Sequence, residues 1–170
     1  MGKTSVLTRT INLLKENNFT IGGVLSREIK DKGERIGFEL IDLGTERSGI
    51  LAASTIKTGP RLRKYRVNLI ALADIGASAL DRAKKLSDII ICDEVGPMEL
   101  HSPEFRRAVT NCAKAGKPSI FVVPAWFRDP LIEYLNSIPH AVKITVTLQN
   151  RSRIPNELAS CILDGTRGVA

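Results

Sequence analysis

The sequence predicts an α/β protein with a mostly parallel sheet and helices on both faces. Three observations carry that expectation. Residues 89–92 and 119–123 are short, continuous apolar runs bounded by turns, the pattern of strands buried on both faces. From Asn68 onward, helical and strand patterns alternate, an order that a parallel sheet with crossover helices satisfies. The first run ends abruptly in Asp93-Glu94-Val95-Gly96-Pro97, and the Gly-Pro cannot continue a strand. Ligands of open parallel sheets gather at the carboxyl ends of the strands. This acidic end is therefore either part of a site or a solvated terminus.

The elements follow in order. Residues 3–17 read as a helix carrying Val6, Ile11, Leu13 and Leu14, ending at Asn17-Asn18. Residues 20–25 form a short strand with a glycine pair. Residues 31–34 form a turn and 35–43 alternate apolar and polar, so the two strands pair as an antiparallel hairpin. After a second turn at 44–47, residues 48–53 add another strand, completing a β-rich insertion. Residues 59–67 hold four cations in six positions behind Gly59-Pro60, a loop or edge strand that is either a solvated basic edge or an anion site. Asn68 caps a long helix with Leu72, Ile75, Ala79, Ala83 and Leu86 at helical spacing and an outer Asp81–Lys85 pair. Ser102-Pro103-Glu104 opens a helix burying Phe105, Ala108, Val109 and Cys112, and Gly116 ends it. Asp129-Pro130 starts a short helix to about Ser137, residues 142–148 form a further strand, and 155–163 the last helix. The tail, 164–170, reads as frayed.

Composition narrows the function. The 170 residues, 43% hydrophobic and 25% charged, fit one ordinary globular domain with a full core. With neither a membrane-length apolar run nor a signal core, the expected location is cytoplasmic and no membrane contact is expected. Cys92, Cys112 and Cys161 lack metal or redox spacing and read as small buried hydrophobes. His101 and His140 stand alone and read as structural. A net charge of +7 implies an anionic partner. Aromatics make up only 5% of the chain and do not interleave with the cations, so nucleotide phosphates fit better than a nucleic-acid stacking platform.

Gly2-Lys3-Thr4 at the start of a helix is the back half of a phosphate-binding loop, G-x-x-x-x-G-K-[ST]. The front half is absent. Alone the match is weak, but an acidic strand end follows about ninety residues later, a common separation in proteins with this loop.

Seven motifs then occur in order: G-K-T at 2–4, I-G-G-V at 21–24, R-I-G-F-E-L-I-D-L at 35–43, G-I-L-A at 49–52, G-P-R-x-x-K-Y-x-V at 59–67, D-E-x-G-x-M-E-L at 93–100 and N-R at 150–151. Over nearly its entire length the chain resembles the cancer-related nucleoside-triphosphatase family, also known from thermophiles. The resemblance implies a single P-loop NTPase domain spanning 1–170, with a RecA-like sheet, hydrolyzing nucleoside triphosphates of broad base specificity with Mg²⁺. On this resemblance Lys3 reaches the β- and γ-phosphates and the Thr4 hydroxyl ligates Mg²⁺. Gly2, Thr4 and Ser5 offer backbone N–H groups to phosphate. Asp93 holds the magnesium through its water shell, and Glu94 orients the attacking water. Arg61 and Lys64 neutralise charge on the γ-phosphoryl group, and Arg151 lies against base or ribose.

The chain departs from the family at three places. Arg63 replaces a glycine and Pro97 a lysine; both leave the neighbouring candidates in place. The third departure is the missing first strand and loop front, which removes much of the N–H nest around the β-phosphate. It leaves unpaired ladder groups and an open slot in the core, at a cost on the order of several kcal/mol. The expectation is that the chain starts at an internal methionine, the competing explanation being a shortened variant. As written, it is expected to bind nucleotide weakly and turn over poorly. Two rival functions stand beside this one. A nucleoside or nucleotide kinase shares the loop and acid but needs an acceptor pocket and an arginine-bearing lid, of which the β-rich insertion gives no clear sign. A non-enzymatic basic module for RNA or DNA is the alternative from a different class.

Overall fold

The computed structural model describes residues 2–167. Its elements are α1 (Lys3–Glu16), β1 (Ile21–Asp31), β2 (Glu34–Asp42), β3 (Ser48–Ala53), β4 (Arg61–Leu62) and β5 (Tyr65–Val67). One helical run follows, composed of α2 (Leu69–Ala71), a π-helical turn (Leu72–Ala77) and α3 (Ser78–Leu86). Then come β6 (Ile89–Asp93), a 3-10 turn (Glu99–His101), α4 (Pro103–Ala113), β7 (Ser119–Val122), α5 (Pro130–Ser137) and α6 (Ile154–Arg167). Among these described residues no helix is long and apolar enough to cross a membrane.

Seven strands form one sheet in the order β4-β5-β3-β2-β1-β6-β7. β1, β6 and β7 run parallel, while β2, β3, β4 and β5 join antiparallel. Parallel pairing thus lies where the acidic strand is, and the hairpin side extends away from it. β1 belongs to both parts: residues 21–24 pair with β6 and residues 24–31 with β2. The expected β-rich insertion therefore grows out of a strand of the parallel portion. Gly23 allows this close approach. It sits at φ +111°, and a Cβ there would stand 1.9 Å from the Ile91 carbonyl oxygen, so only glycine fits.

β6 shows why its sequence is apolar without alternation. Ile90 and Cys92 face a core built with the π turn, α3, α4 and α5. Ile89 and Ile91 face a second core built with α1 and α6. All five β6 residues are buried, so the position of its acidic end is fixed from both sides. The expected caps are present: Asn68, Ser102 and Asp129 each accept a backbone N–H through the side chain.

Several expectations need correction. Residues 142–148 are not a strand. Val142, Ile144, Val146 and Leu148 have strand alternation, but β7 closes the described sheet and no neighbouring strand pairs with the segment. Val142 and Leu148 are consequently 70% and 71% exposed. For the same reason β7 is half-buried, not enclosed. Leu86 is 73% exposed, since as the last residue of α3 it lies beyond the face that Ala83 presents to Gly22. Asp81 pairs with Arg107 of α4 at 3.3 Å in place of Lys85, because α3 packs on α4. Cys161 is exposed, unlike Cys92 and Cys112. α6 continues through residues 164–167, and the rest of the expected frayed tail lies outside the described residues.

Candidate active site

Two elements meet to form the site. Gly2, at φ 108°, is the N-cap of α1, and no acidic residue occupies the first helical turn. The N–H groups of a first turn have no partner within the helix, and the helix dipole adds partial positive charge there. Lys3 and Thr4 leave this turn toward the end of β6. Lys3 Nζ donates to Glu94 Oε2 at 2.6 Å and to the Val123 carbonyl at 3.3 Å. Thr4 Oγ1 donates to Asp93 Oδ2 at 2.9 Å. The segment after β6 is fastened to β7 by the Val95 N–H, which donates to the Val122 carbonyl at 2.8 Å. A cation and a hydroxyl on one helix thus face two consecutive acids on a strand some ninety residues away.

The acids sit in unequal environments. Asp93 is almost fully buried. Burial pushes its carboxyl up to about 6, with the Glu94 charge adding to the shift and the Thr4 hydrogen bond and Lys3 opposing it. Glu94 shares its ion pair with Lys3 at partial exposure. A third acid, Glu99, is only 4% exposed. Burial pushes it up to about 8, and the charges of Glu94 and Asp93 add to the shift.

Comparison with known proteins fixes the family. The model of a family described as NTPase matches residues 1–159. The chain belongs to the NTPase family. The nucleoside-triphosphatase THEP1 of Methanopyrus kandleri is 40% identical over 165 residues, covering 96% of this chain and 91% of its own. That of Thermofilum pendens is 37% identical over 162 residues, with 94% and 88% covered. Among solved structures, THEP1 from Aquifex aeolicus superposes with a TM-score of 0.81 at 26% identity, covering 95% of this chain and 93% of its own. A human cancer-related nucleoside triphosphatase gives the same TM-score at 24% identity, with 96% and 93% covered, and supports the fold.

In this NTPase chain the remaining predicted site residues divide. Ser5 is exposed on the first turn of α1. Arg151 is brought to the site: its Cδ and Nη1 lie 3.7 and 4.0 Å from where a Cβ on Gly2 would be. Arg61 and Lys64 are not. Arg61 Nε donates to the Arg63 carbonyl, and Lys64 Nζ stands over the Tyr65 ring at 5.5 Å. β5 is four strand positions from β6 and β4 five, roughly 20 Å or more across the sheet at the usual strand spacing. Register alone puts them toward the acidic end, because Arg66 pairs level with Ala53, and Ala53 with Gly37 and Ile29, beyond the rows that β1 shares with β6.

Glu99, Gly96 and the Val123 carbonyl are site components that the sequence reading did not assign. The available signal for Glu99 and Gly96 was their place in the D-E-x-G-x-M-E-L motif at 93–100, with Glu99 an acid flanked by Met98 and Leu100 in a stretch otherwise bound for the core. Among the described residues no group of three or more His, Cys, Asp or Glu is arranged as a metal cage. Mg²⁺ does not require one, because it is commonly held by one or two protein oxygens with water and substrate phosphates completing the shell. Thr4 Oγ1 and Asp93 Oδ2, 2.9 Å apart, supply such an all-oxygen pair.

Proposed function

We propose that this chain hydrolyses nucleoside triphosphates to diphosphate and phosphate in a Mg²⁺-dependent reaction. The observation that carries the reading is the meeting of Lys3 and Thr4 at the N-terminus of α1 with Glu94 and Asp93 at the carboxyl end of β6. The names of the THEP1 relatives support the same activity.

The residues divide the work by their chemistry. The first-turn N–H groups and Lys3 bind the phosphate chain. In doing so, Lys3 exchanges its ion pair with Glu94 for phosphate oxygens. Glu94 is then free to accept a hydrogen bond from the attacking water and align it with the terminal phosphorus. Thr4 and Asp93 would hold Mg²⁺, which when bound neutralises charge on the phosphate oxygens. Arg151, which lies beside Gly2, is assigned the contact to ribose or base; its nearness to the phosphate end of the site supports a role in nucleotide binding. The contacts to phosphate and metal do not depend on the base, which favours broad acceptance of ATP, GTP and other triphosphates.

The test is phosphate release from ATP, GTP, CTP and UTP with and without Mg²⁺, in the original chain and Glu94→Gln. Release that needs Mg²⁺, with kcat reduced about 10²-fold or more by Glu94→Gln while nucleotide still binds, is the expected result. A phosphorylated acceptor appearing in place of free phosphate, or unchanged turnover in Glu94→Gln, would overturn it.

A further inference from the structure

We propose that Glu99 is a positioning residue for Glu94, holding that carboxylate in the orientation from which it addresses water. The inference rests on the reading of Glu94 as the water-orienting acid.

The two oxygens of Glu94 have different surroundings. Oε2 receives Lys3 Nζ at 2.6 Å. Oε1 lies 2.9 Å from the point that a Cβ on Gly96 would occupy, and Glu99 Oε2 lies 3.0 Å from that same point. The two carboxyls therefore border the same small space beside Gly96, near enough to be bridged through it by hydrogen bonding. A Cβ at 96 would crowd both carboxyls and displace them from this arrangement.

Glu99 has no basic partner among the described residues. The 3-10 turn holds it in place between half-buried Met98 and buried Leu100, both of which pack into the core alongside Val95. A buried carboxylate without a cation is costly, whereas a buried neutral acid that donates a hydrogen bond is not. Its elevated proton affinity agrees with that state: burial and the charges of Glu94 and Asp93 outweigh the backbone N–H groups of Glu99 and Gly96, which favour the ionised form. A neutral acid donating toward Oε1 fixes the rotamer of Glu94 after Lys3 has moved to phosphate, when the ion pair no longer does so.

The experiment compares Glu99→Met, Glu99→Gln and Gly96→Ala with the original chain and with Glu94→Gln. It measures kcat, KM for ATP, equilibrium ATP affinity and thermal unfolding. Glu99→Met is expected to lower kcat tenfold or more with KM and affinity unchanged. Glu99→Gln, whose carboxamide still donates, is expected to recover most of that loss. Gly96→Ala is expected to lower kcat in the same way, and it decides the matter if Glu99→Met does not fold. Full kcat in Glu99→Met or Gly96→Ala, equal loss in the Met and Gln variants, or loss of affinity in parallel with kcat would overturn the proposal. Normal turnover in Glu94→Gln would instead remove the water-orienting role on which it rests.

Discussion

Lys3 is the residue at which stability and function separate most clearly. Its pair with Glu94 is short, but both side chains are about one-third exposed. Such pairs contribute little to folding, about 0–1 kcal/mol, because water already solvates both charges. The same ammonium placed against two or three phosphate oxygens meets a much larger charge. Lys3→Ala is therefore expected to leave the unfolding midpoint in denaturant nearly unchanged while reducing ATP affinity at least about tenfold, as titration calorimetry would show. A large loss of stability would mean that the ion pair organises α1 and is not a resting contact of a substrate-binding lysine. Thr4 is tied more tightly, since its hydroxyl is a partner of a nearly dry Asp93.

At the scale of elements, what decides the outcome is whether neighbours are present. β6 is enclosed on both faces, and Ile90→Ala is expected to cost about 2–5 kcal/mol in denaturant unfolding, the usual range for large-to-small changes in a packed core. Residues 142–148 carry a comparable apolar pattern, yet Val142→Thr with Leu148→Thr is expected to change stability by less than about 0.5 kcal/mol, because both side chains already face water. This contrast also explains what the sequence revealed. The caps at Asn68, Ser102 and Asp129, the turn at Lys32-Gly33 and the doubly buried β6 were legible because each depends on residues within a few positions. The Lys3, Thr4, Asp93 and Glu94 cluster was legible through motif spacing. The fate of 142–148 was not, since strand pairing depends on a distant partner that alternation does not specify. The separation of Arg61 and Lys64 from the acids depended on strand order, and the role of Glu99 on a fold of the chain around Gly96.

For the whole molecule, these environments make stability depend on pH in two opposite ways. Arg106 grips Asp129 with two hydrogen bonds of 3.0 and 2.6 Å, joining α4 to the start of α5. That pairing holds the Asp129 carboxyl below its ordinary value, so its contribution is present above the unfolded aspartate pKa and is lost as acid protonates the folded form. Glu99 runs the other way. Its folded pKa of about 8 exceeds the ordinary 4.5, so folding binds a proton between those values and stability declines with rising pH across that window. The contribution is complete below about 4.5 and exhausted once pH passes about 8. Glu99→Gln removes this titration but keeps shape and hydrogen bonding. Its melting temperature is therefore expected to rise relative to the original chain as pH increases from 5 to 8, by several degrees in total, and the gap should stop widening above that. The Asp129 pair leaves this difference untouched because both proteins keep it. A gap that stays constant from pH 5 to 9 in parallel thermal melts would show that Glu99 ionises in the folded protein as it does in the unfolded chain. It would thereby remove the neutral donor that shares the space beside Gly96 with Glu94.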